Sequence, residues 1–254
     1  MPPLTIVSPH FDDAVLSCWT VLSSGGQVEV VNVFAGTPSG DAPPGWWDQA
    51  LGTPAEAIRT RAEEDRRALA HAGRESRNLD FLDAQYRGRD EPAPGIGEAV
   101  ERLLAPGATV YAPASLGVHP DHEAVRAAAL ELWRCGHRVV LYADLPHASL
   151  RGWPDWVAGD GTPTATDAWN RTLRRVGLEP ESLSPRVTRL DERAIAAKLG
   201  AVREYASQLP GFEAIFGVPL DDAGQLRYEV EWALPPARAD SSSAVAAVRK
   251  PAAS

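Results

Sequence analysis

Residues 4–22 read LTIVSPHFDDAVLSCWTVL, and this segment joins a short apolar run to a helical pattern through a polar turn. Leu4 to Ser8 is rich in β-forming residues, which indicates a strand, and the apolar residues after the turn recur at helical spacing. The turn itself, residues 9–13, reads PHFDD. Dinucleotide-binding folds have a G-x-G-x-x-G fingerprint at this position, so a nicotinamide cofactor is disfavoured.

The rest of the chain continues to alternate between strand and helix patterns. Further strands are predicted at 28–34, 78–82, 109–112, 138–143 and 226–234. Helices are predicted at 55–72, 96–104, 120–134 and 191–208. This alternation predicts βαβ units and therefore an α/β fold, with a Rossmann-like, mostly parallel sheet covered by helices on both faces.

Chain length and local composition predict the domain organisation. A chain of 254 residues suits one sizeable core, so we predict a single α/β domain over residues 1–236. Residues 146–185 are rich in Gly, Pro, Asp and Trp, and we expect a loop-rich insertion over the active-site edge. Residues 237–254 are rich in Ala and Ser without periodicity, which predicts a flexible C-terminal tail.

The charge of the chain argues against some classes of partner. The formal net charge is -9, and no run of Lys or Arg could follow a phosphate backbone, so nucleic acid and anionic membranes are disfavoured. The N-terminus lacks a signal-peptide pattern, and no apolar run reaches the ~18 residues of a membrane span. We therefore expect a soluble, cytoplasmic protein that binds a neutral or cationic small molecule; a homo-oligomer stays open.

The first polar turn contains His10, Asp12 and Asp13, at the carboxyl end of the first predicted strand. Ligands bind at this edge of open parallel sheets, and both imidazole and carboxylate are good zinc ligands. If the chain turns into a helix between them, His10 and Asp13 converge on one ion, and Asp12 is free to act as a base. The alternative is that one aspartate only caps the following helix, which leaves His10 without a role.

A second polar turn reads LGVHPDH over residues 116–122 and also lies between a predicted strand and a helix. Because Pro120 suits the first helical position, His122 lies in the first turn and His119 just before it. These residues would add a third zinc ligand and a second imidazole near the metal. Surface histidines beside a proline-initiated helix are the alternative, but two matching turns together favour a metal site.

Both turns resemble the paired signatures of the LmbE-like/PIG-L family of zinc-dependent N-deacetylases. The matching segments are SPHFDD at 8–13 and HPDH at 119–122. In addition, RAEE at 61–64 resembles the R-x-x-E helix of the family, and YASQ at 205–208, with Lys198 before it, resembles its late helix. The resemblance spans residues from about 4 to 208.

The resemblance implies a function and a role for each residue of the two turns. It implies a hydrolase that removes an N-acyl group, most simply acetyl, from an amino sugar or its glycoside. It further implies one zinc per chain held by His10, Asp13 and His122, with Fe²⁺ as the alternative metal. Asp12 would be the general base, and His119 would protonate the leaving amine or stabilise the oxyanion.

This chain departs from the family pattern at positions that are not ligands. Phe11 replaces the usual inner proline and Ala14 replaces a glutamate. Some members place a helper tyrosine just before the second motif, where this chain has Leu116-Gly117-Val118. This chain therefore has no tyrosine at that position to contact the oxyanion.

Four further residues are weaker candidates for substrate contacts. Arg61 and Asp83 resemble family residues that contact sugar hydroxyls, whereas Asp144 and His147 follow the predicted strand at 138–143. Solvated charges and a turn-forming aspartate are the alternatives for these positions.

Paired tryptophans also stand in the loops. These residues are Trp46, Trp47, Trp153 and Trp156. Their indoles either stack on a sugar or an aromatic aglycone, or seal the loops onto the core.

Two other functions are compatible with the same motifs. One is an amidase that cleaves a larger amide conjugate, of the mycothiol-conjugate-amidase type. The other is a non-catalytic, metal-containing carbohydrate-binding protein. The presence of Asp12 speaks against the second, since binding requires the metal ligands but no base.

Overall fold

A seven-stranded sheet forms the centre of the computed structural model, which describes residues 2–237 except 118, 151, 160, 165–166 and 218. The strands are β1 (Leu4–Ser8), β2 (Val28–Asn32), β3 (Ser76–Asn78), β4 (Thr109–Pro113), β5 (Arg138–Tyr142), β6 (Pro185–Arg189) and β7 (Tyr228–Ala233). Their order is β3-β2-β1-β4-β5-β7-β6. β1 to β5 are parallel, and β7 is antiparallel to both β5 and β6. The predicted Rossmann-like α/β fold is confirmed.

Ten α-helices connect these strands in the part of the chain that the structure describes. They are α1 (Asp13–Ser17), α2 (Trp19–Leu22), α3 (Pro54–Ala70), α4 (Ala84–Arg87), α5 (Ile96–Glu101), α6 (Pro120–Arg134), α7 (Asp155–Ala158), α8 (Ala168–Arg175), α9 (Glu192–Val202) and α10 (Leu209–Phe216). α3 begins with a capping box, in which the side chains of Thr53 and Glu56 each bond the backbone N–H of the other. None of these helices is long and apolar enough to cross a membrane.

The order of the strands explains where a ligand can bind. The chain runs outward from β1 to β2 and β3, then crosses back to place β4 on the other side of β1. β1 and β4 are therefore adjacent parallel strands whose connections leave in opposite directions. A crevice forms at the carboxyl ends of such a pair, and both polar turns lie there. Beneath it, Ile6, Val30 and Val110 are completely buried, which fixes the strand ends on a packed core.

Several elements differ from the predictions, among them one strand, one helix and the edge strand β6. The strand expected at 78–82 lies at Ser76–Asn78, and the helix expected at 191–208 ends at Val202. β6 was not predicted at all, because PRVTR has a single large apolar residue. It is an exposed edge strand, where charged side chains are common and apolar alternation is weak.

The segment 146–185 is less loop-rich than its composition indicates, since it contains α7 and α8. Trp156 and Trp169 pack edge to face at 5.5 Å, and Trp169 packs against Trp232 of β7 at 5.9 Å. These tryptophans therefore join the segment to β7, whereas Pro146 and His147 at its start line a cavity. Beyond Ala237, the proposed tail lies outside the described residues.

Candidate metal centre

The two polar turns meet in one cavity of about 410 Å³ at the carboxyl ends of β1 and β4. Five polar or charged residues of the two turns line it, and we call them the floor: His10, Asp12, Asp13, His119 and His122. β1 ends two residues before His10, and α1 begins at Asp13. α6 begins at Pro120 with His119 as its N-cap. The structure thus brings together all five residues that the motifs singled out.

Three floor residues have the geometry of a metal site. The candidate ligand atoms of His10, Asp13 and His122 all lie within 4.8 Å of one another, and the three side chains are buried. Asp13 stands between the two imidazoles, with Oδ2 3.3 Å from His10 Nδ1 and Oδ1 3.4 Å from His122 Nε2. Two imidazole nitrogens and one carboxylate are a donor set that zinc accepts in sites with an open fourth position. These residues therefore fit the metal that the motifs imply.

The outward nitrogens of both ligand histidines point to buried carboxylates. Nε2 of His10 lies 3.0 Å from Asp121 Oδ2, and Nδ1 of His122 lies 3.0 Å from Asp144 Oδ2. In such pairs the imidazole N–H donates to the carboxylate, which fixes the tautomer and directs the other nitrogen to the metal. Asp121 was not among the predicted site residues, although it stands inside the second motif.

These carboxylates are themselves fixed by hydrogen bonds. Asp121 Oδ2 accepts from the Ala84 amide at 3.0 Å, and Arg87 Nη2 lies 2.6 Å from Asp121 Oδ1. Asp144 Oδ1 accepts from the Leu116 amide at 2.9 Å. A second group, in which Asp121 and His119 join His10, also has metal-ligand spacing. We favour the first group, because Asp121 already bonds Ala84 and Arg87 outside the second group and Asp13 lies between the two imidazoles.

Asp12 lies beside the candidate metal ligands, but its surroundings differ from theirs. Although it is the N-cap residue of α1, its side chain makes no capping hydrogen bond, so the capping alternative lacks its defining contact. Burial raises the pKa of Asp12 to about 6; the charge of Asp13 adds to this effect, and Arg61 opposes it. A carboxyl group with such a pKa can accept and return a proton near neutral pH.

His119 is held as a neutral imidazole. Burial lowers its pKa to about 2, and the neighbouring His10 and His122 act in the same direction. Its Nδ1 accepts a hydrogen bond from the Asp121 amide at 3.3 Å. A neutral ring that accepts at Nδ1 has its proton on Nε2, so Nε2–H is the available donor.

Three of the four candidate substrate contacts line the cavity, namely Arg61, Asp83 and His147. Arg61 Nη1 lies 3.6 Å from Asp83 Oδ2 and 3.5 Å from Asp48 Oδ2. Asp48 is buried and also accepts from the hydroxyl of Tyr86 at 2.7 Å, a contact that no sequence signal indicated. A Cβ at Gly117 would lie 2.7 Å from the Cβ of His147, so this close approach requires glycine.

The fourth candidate, Asp144, is completely buried and does not line the cavity. Its side chain lies behind His122, on the side away from the cavity, where it contacts the imidazole.

The chain is similar to a known family of deacetylases. The family model described as PIG-L, GlcNAc-PI de-N-acetylase, matches residues 5–133. The 2'-N-acetylparomamine deacetylase of Streptomyces fradiae is 36% identical over 164 residues, which are 58% of this chain and 58% of that protein. The chain thus spans well under two thirds of the length of this curated relative.

Two solved structures extend the likeness over nearly the whole chain. The A40926 pseudoaglycone deacetylase Dbv21 is 28% identical with a TM-score of 0.67, over 94% of this chain and 99% of that one. The zinc inhibited form of teicoplanin deacetylase Orf2 is 25% identical with a TM-score of 0.65, over 91% of this chain and 97% of that one. Together with the family model, these matches show that the chain belongs to the PIG-L (LmbE-like) family.

Proposed function

We propose that this protein is a zinc-dependent N-deacetylase that hydrolyses the acetamido group of an N-acetylated amino sugar within a glycoside. The observation that carries the proposal is the convergence of His10, Asp13 and His122 beside Asp12 in one cavity. The relatives support it, since each of the three is named a deacetylase and one acts on 2'-N-acetylparomamine.

His10, Asp13 and His122 would hold the metal, with Asp121 and Asp144 orienting the two imidazoles. When bound, zinc polarises the acetamido carbonyl and lowers the pKa of a water molecule toward ~7. Fe²⁺ is the alternative, because an N/O donor set does not select strongly between these metals.

Asp12 would accept the proton of the water that attacks the carbonyl carbon. The C–N bond then breaks, and Asp12 returns this proton to the departing nitrogen, so that a free amine and acetic acid are formed, and the acid loses its proton to give acetate. The raised pKa of Asp12 suits both transfers.

His119 would donate a hydrogen bond from Nε2–H to the carbonyl oxygen as negative charge develops there. Of the two roles that the resemblance implies for His119, the lowered pKa favours this one over protonation of the amine. Arg61, Asp83 and His147 would contact the hydroxyl groups of the sugar.

A screen of N-acetylated amino sugars and glycosides tests the proposal. Metal-loaded protein should remove about one acetyl mass from at least one of them, and chelation should abolish this reaction until zinc is restored. Release of a larger acyl group would identify the amidase alternative instead. Binding of the sugars without any amine formation would identify a carbohydrate-binding protein and overturn the proposal.

A further inference from the structure

One side of the cavity is an apolar wall, formed by Trp46, Trp47, Phe212 and Ile215. The two tryptophans precede α3, whereas Phe212 and Ile215 lie on α10. The Trp47 ring is 5.0 Å from the Phe212 ring and 5.3 Å from the Trp46 ring, in edge-to-face contacts. The wall is therefore one continuous surface, although its residues come from opposite halves of the chain.

Trp47 is fixed in place and supports the rest of the wall. Its indole N–H donates to Gln208 Oε1 and its backbone N–H donates to Gln85 Oε1. A Cβ at Gly211 would lie 3.1 Å from the Trp47 ring, so the ring packs directly against the backbone of α10. This anchoring argues against a swinging lid and favours a preformed surface.

The outer part of the wall is exposed. Trp46 is 62% exposed and Ile215 is 48% exposed, and both line the cavity. Large apolar side chains that remain exposed together beside a cavity mark a binding surface more often than a structural one. Trp153 and Trp156, by contrast, do not line this cavity, and Trp156 is buried in the core.

The wall and the floor have opposite chemical character, and the deacetylation chemistry gives the wall no role. The floor and its neighbours Arg61 and Asp83 present charges and imidazoles, which suit an acetamido group and sugar hydroxyls. The wall presents ring faces and an aliphatic side chain. A ligand that fits both surfaces has a polar sugar at one end and a flat apolar group at the other.

We infer that the apolar wall is a subsite for an aryl aglycone, so that the substrates are aryl glycosides of N-acetylated amino sugars. This inference rests on the proposed deacetylase function and specifies its substrate class. An aromatic aglycone would pack against Trp46 and Ile215 while the acetamido group lies on the floor. An aglycone contact that is equally strong in the ground state and in the transition state lowers KM without raising kcat, so we expect the effect mainly in KM.

Amine release from the phenyl and methyl glycosides of N-acetyl-D-glucosamine tests the inference on zinc-loaded protein. In the wild type, the kcat/KM of the phenyl glycoside should exceed that of the methyl glycoside by about tenfold. One well-packed aromatic contact accounts for a ratio of this size. Trp46→Ala and Ile215→Ala should each reduce this ratio to about two- to threefold, whereas Trp46→Phe should retain most of it. A ratio near one in the wild type, or one that Trp46→Ala leaves unchanged, overturns the inference.

Val187→Ala is the matched control. Val187 is 37% exposed on β6 and does not line the cavity, so its removal should leave the ratio unchanged. A 2-aminoethyl glycoside tests whether the wall instead selects a cation through its indoles. Faster turnover of that glycoside than of the phenyl glycoside also overturns the inference.

Calorimetric binding distinguishes this inference from the proposed function. If neither glycoside releases amine, the deacetylase proposal fails for these sugars, but both can still be titrated into the protein. Tighter binding of the phenyl glycoside to the wild type, reduced in Trp46→Ala, supports the subsite regardless of turnover. Equal binding of the two glycosides, or no binding of the phenyl glycoside, contradicts it.

Discussion

The floor lies at the ends of two adjacent parallel strands, whereas the apolar wall joins two segments that are distant in sequence. The five floor residues occupy two short turns, and the three candidate metal ligands among them are buried. The wall depends on α10 packing against the loop before α3, and its outer residues are exposed. This difference predicts that mutations on the floor affect the proposed chemistry, whereas mutations on the wall affect the proposed choice of substrate.

The largest expected effect follows removal of a metal ligand. His10→Ala, Asp13→Ala and His122→Ala should each lose bound zinc and essentially all turnover, because two remaining ligands hold the ion weakly. Elemental analysis of protein purified without chelator should give about one metal per chain for the wild type. Trp46→Ala is the control from the wall and should keep this stoichiometry. A ligand variant that retains both metal and activity would contradict the assignment.

The floor could be predicted from sequence for a physical reason. In each turn the candidate site residues stand within a few positions of one another, between a strand and a helix. Parallel strands place such turns at the same edge of the sheet. The strand Leu4–Ser8 and the helix Pro120–Arg134 were predicted with the bounds that the structure has. Local patterns were sufficient here because neighbouring residues build the site.

The wall and the orienting carboxylates could not be predicted in the same way. No sequence pattern singled out Phe212 and Ile215, and only tertiary packing brings them into one cavity wall with Trp47. Asp144 looked like a cavity residue because it follows β5, yet its side chain turns behind His122. Its direction depends on the register of β4 and β5, which the sequence does not specify.

The next largest effect concerns Asp12. Asp12→Asn keeps the shape of the side chain but cannot accept a proton from water, so kcat should fall by roughly 10²- to 10⁴-fold. Zinc content and the KM for substrate should change little, since Asp12 is not among the ligands. For the wild type, kcat/KM should rise with pH through about 6, as Asp12 becomes ionised, and then level off, because the neutral His119 needs no proton for its role.

His119→Ala provides the comparison within the floor. It should retain zinc and lose activity through the missing hydrogen bond to the carbonyl oxygen. Turnover of Asp12→Asn within a few-fold of the wild type would mean that this carboxylate is not the base, and the mechanism would fail.

A smaller effect should follow loss of the orienting carboxylates. Asp121→Asn and Asp144→Asn should weaken zinc affinity by about 10- to 100-fold, because an amide orients the imidazole less firmly and lowers its basicity. Competition with a chelator of known affinity measures this change. If Asp144 instead contacted substrate, as its sequence position suggested, Asp144→Asn would raise KM at saturating zinc and leave metal affinity intact.

The smallest expected effect is on stability and follows substitution of Asp65, which lies beneath the floor. This buried carboxyl contacts Asn32, Ser76 and the hydroxyl of Tyr205, which also donates to the carbonyl of Phe11 in the first turn. Burial raises the pKa of Asp65 to about 7, against the opposing effect of its hydrogen-bond donors. The folded protein therefore holds this proton at pH values where the unfolded chain has released it.

The sign of the pH dependence follows from that difference in pKa. The stabilisation from the Asp65 proton is complete below the ordinary aspartate pKa of ~3.9 and is lost as pH rises through about 7. Between pH 5 and pH 7 the free energy of unfolding of the wild type should fall by about 2 kcal/mol relative to Asp65→Asn, which does not titrate. Urea unfolding of both proteins at the two pH values, in the same metal-loaded state, measures it. A difference that is constant with pH would mean that Asp65 is ionised throughout, and that Tyr205 donates to this carboxylate instead of to Phe11.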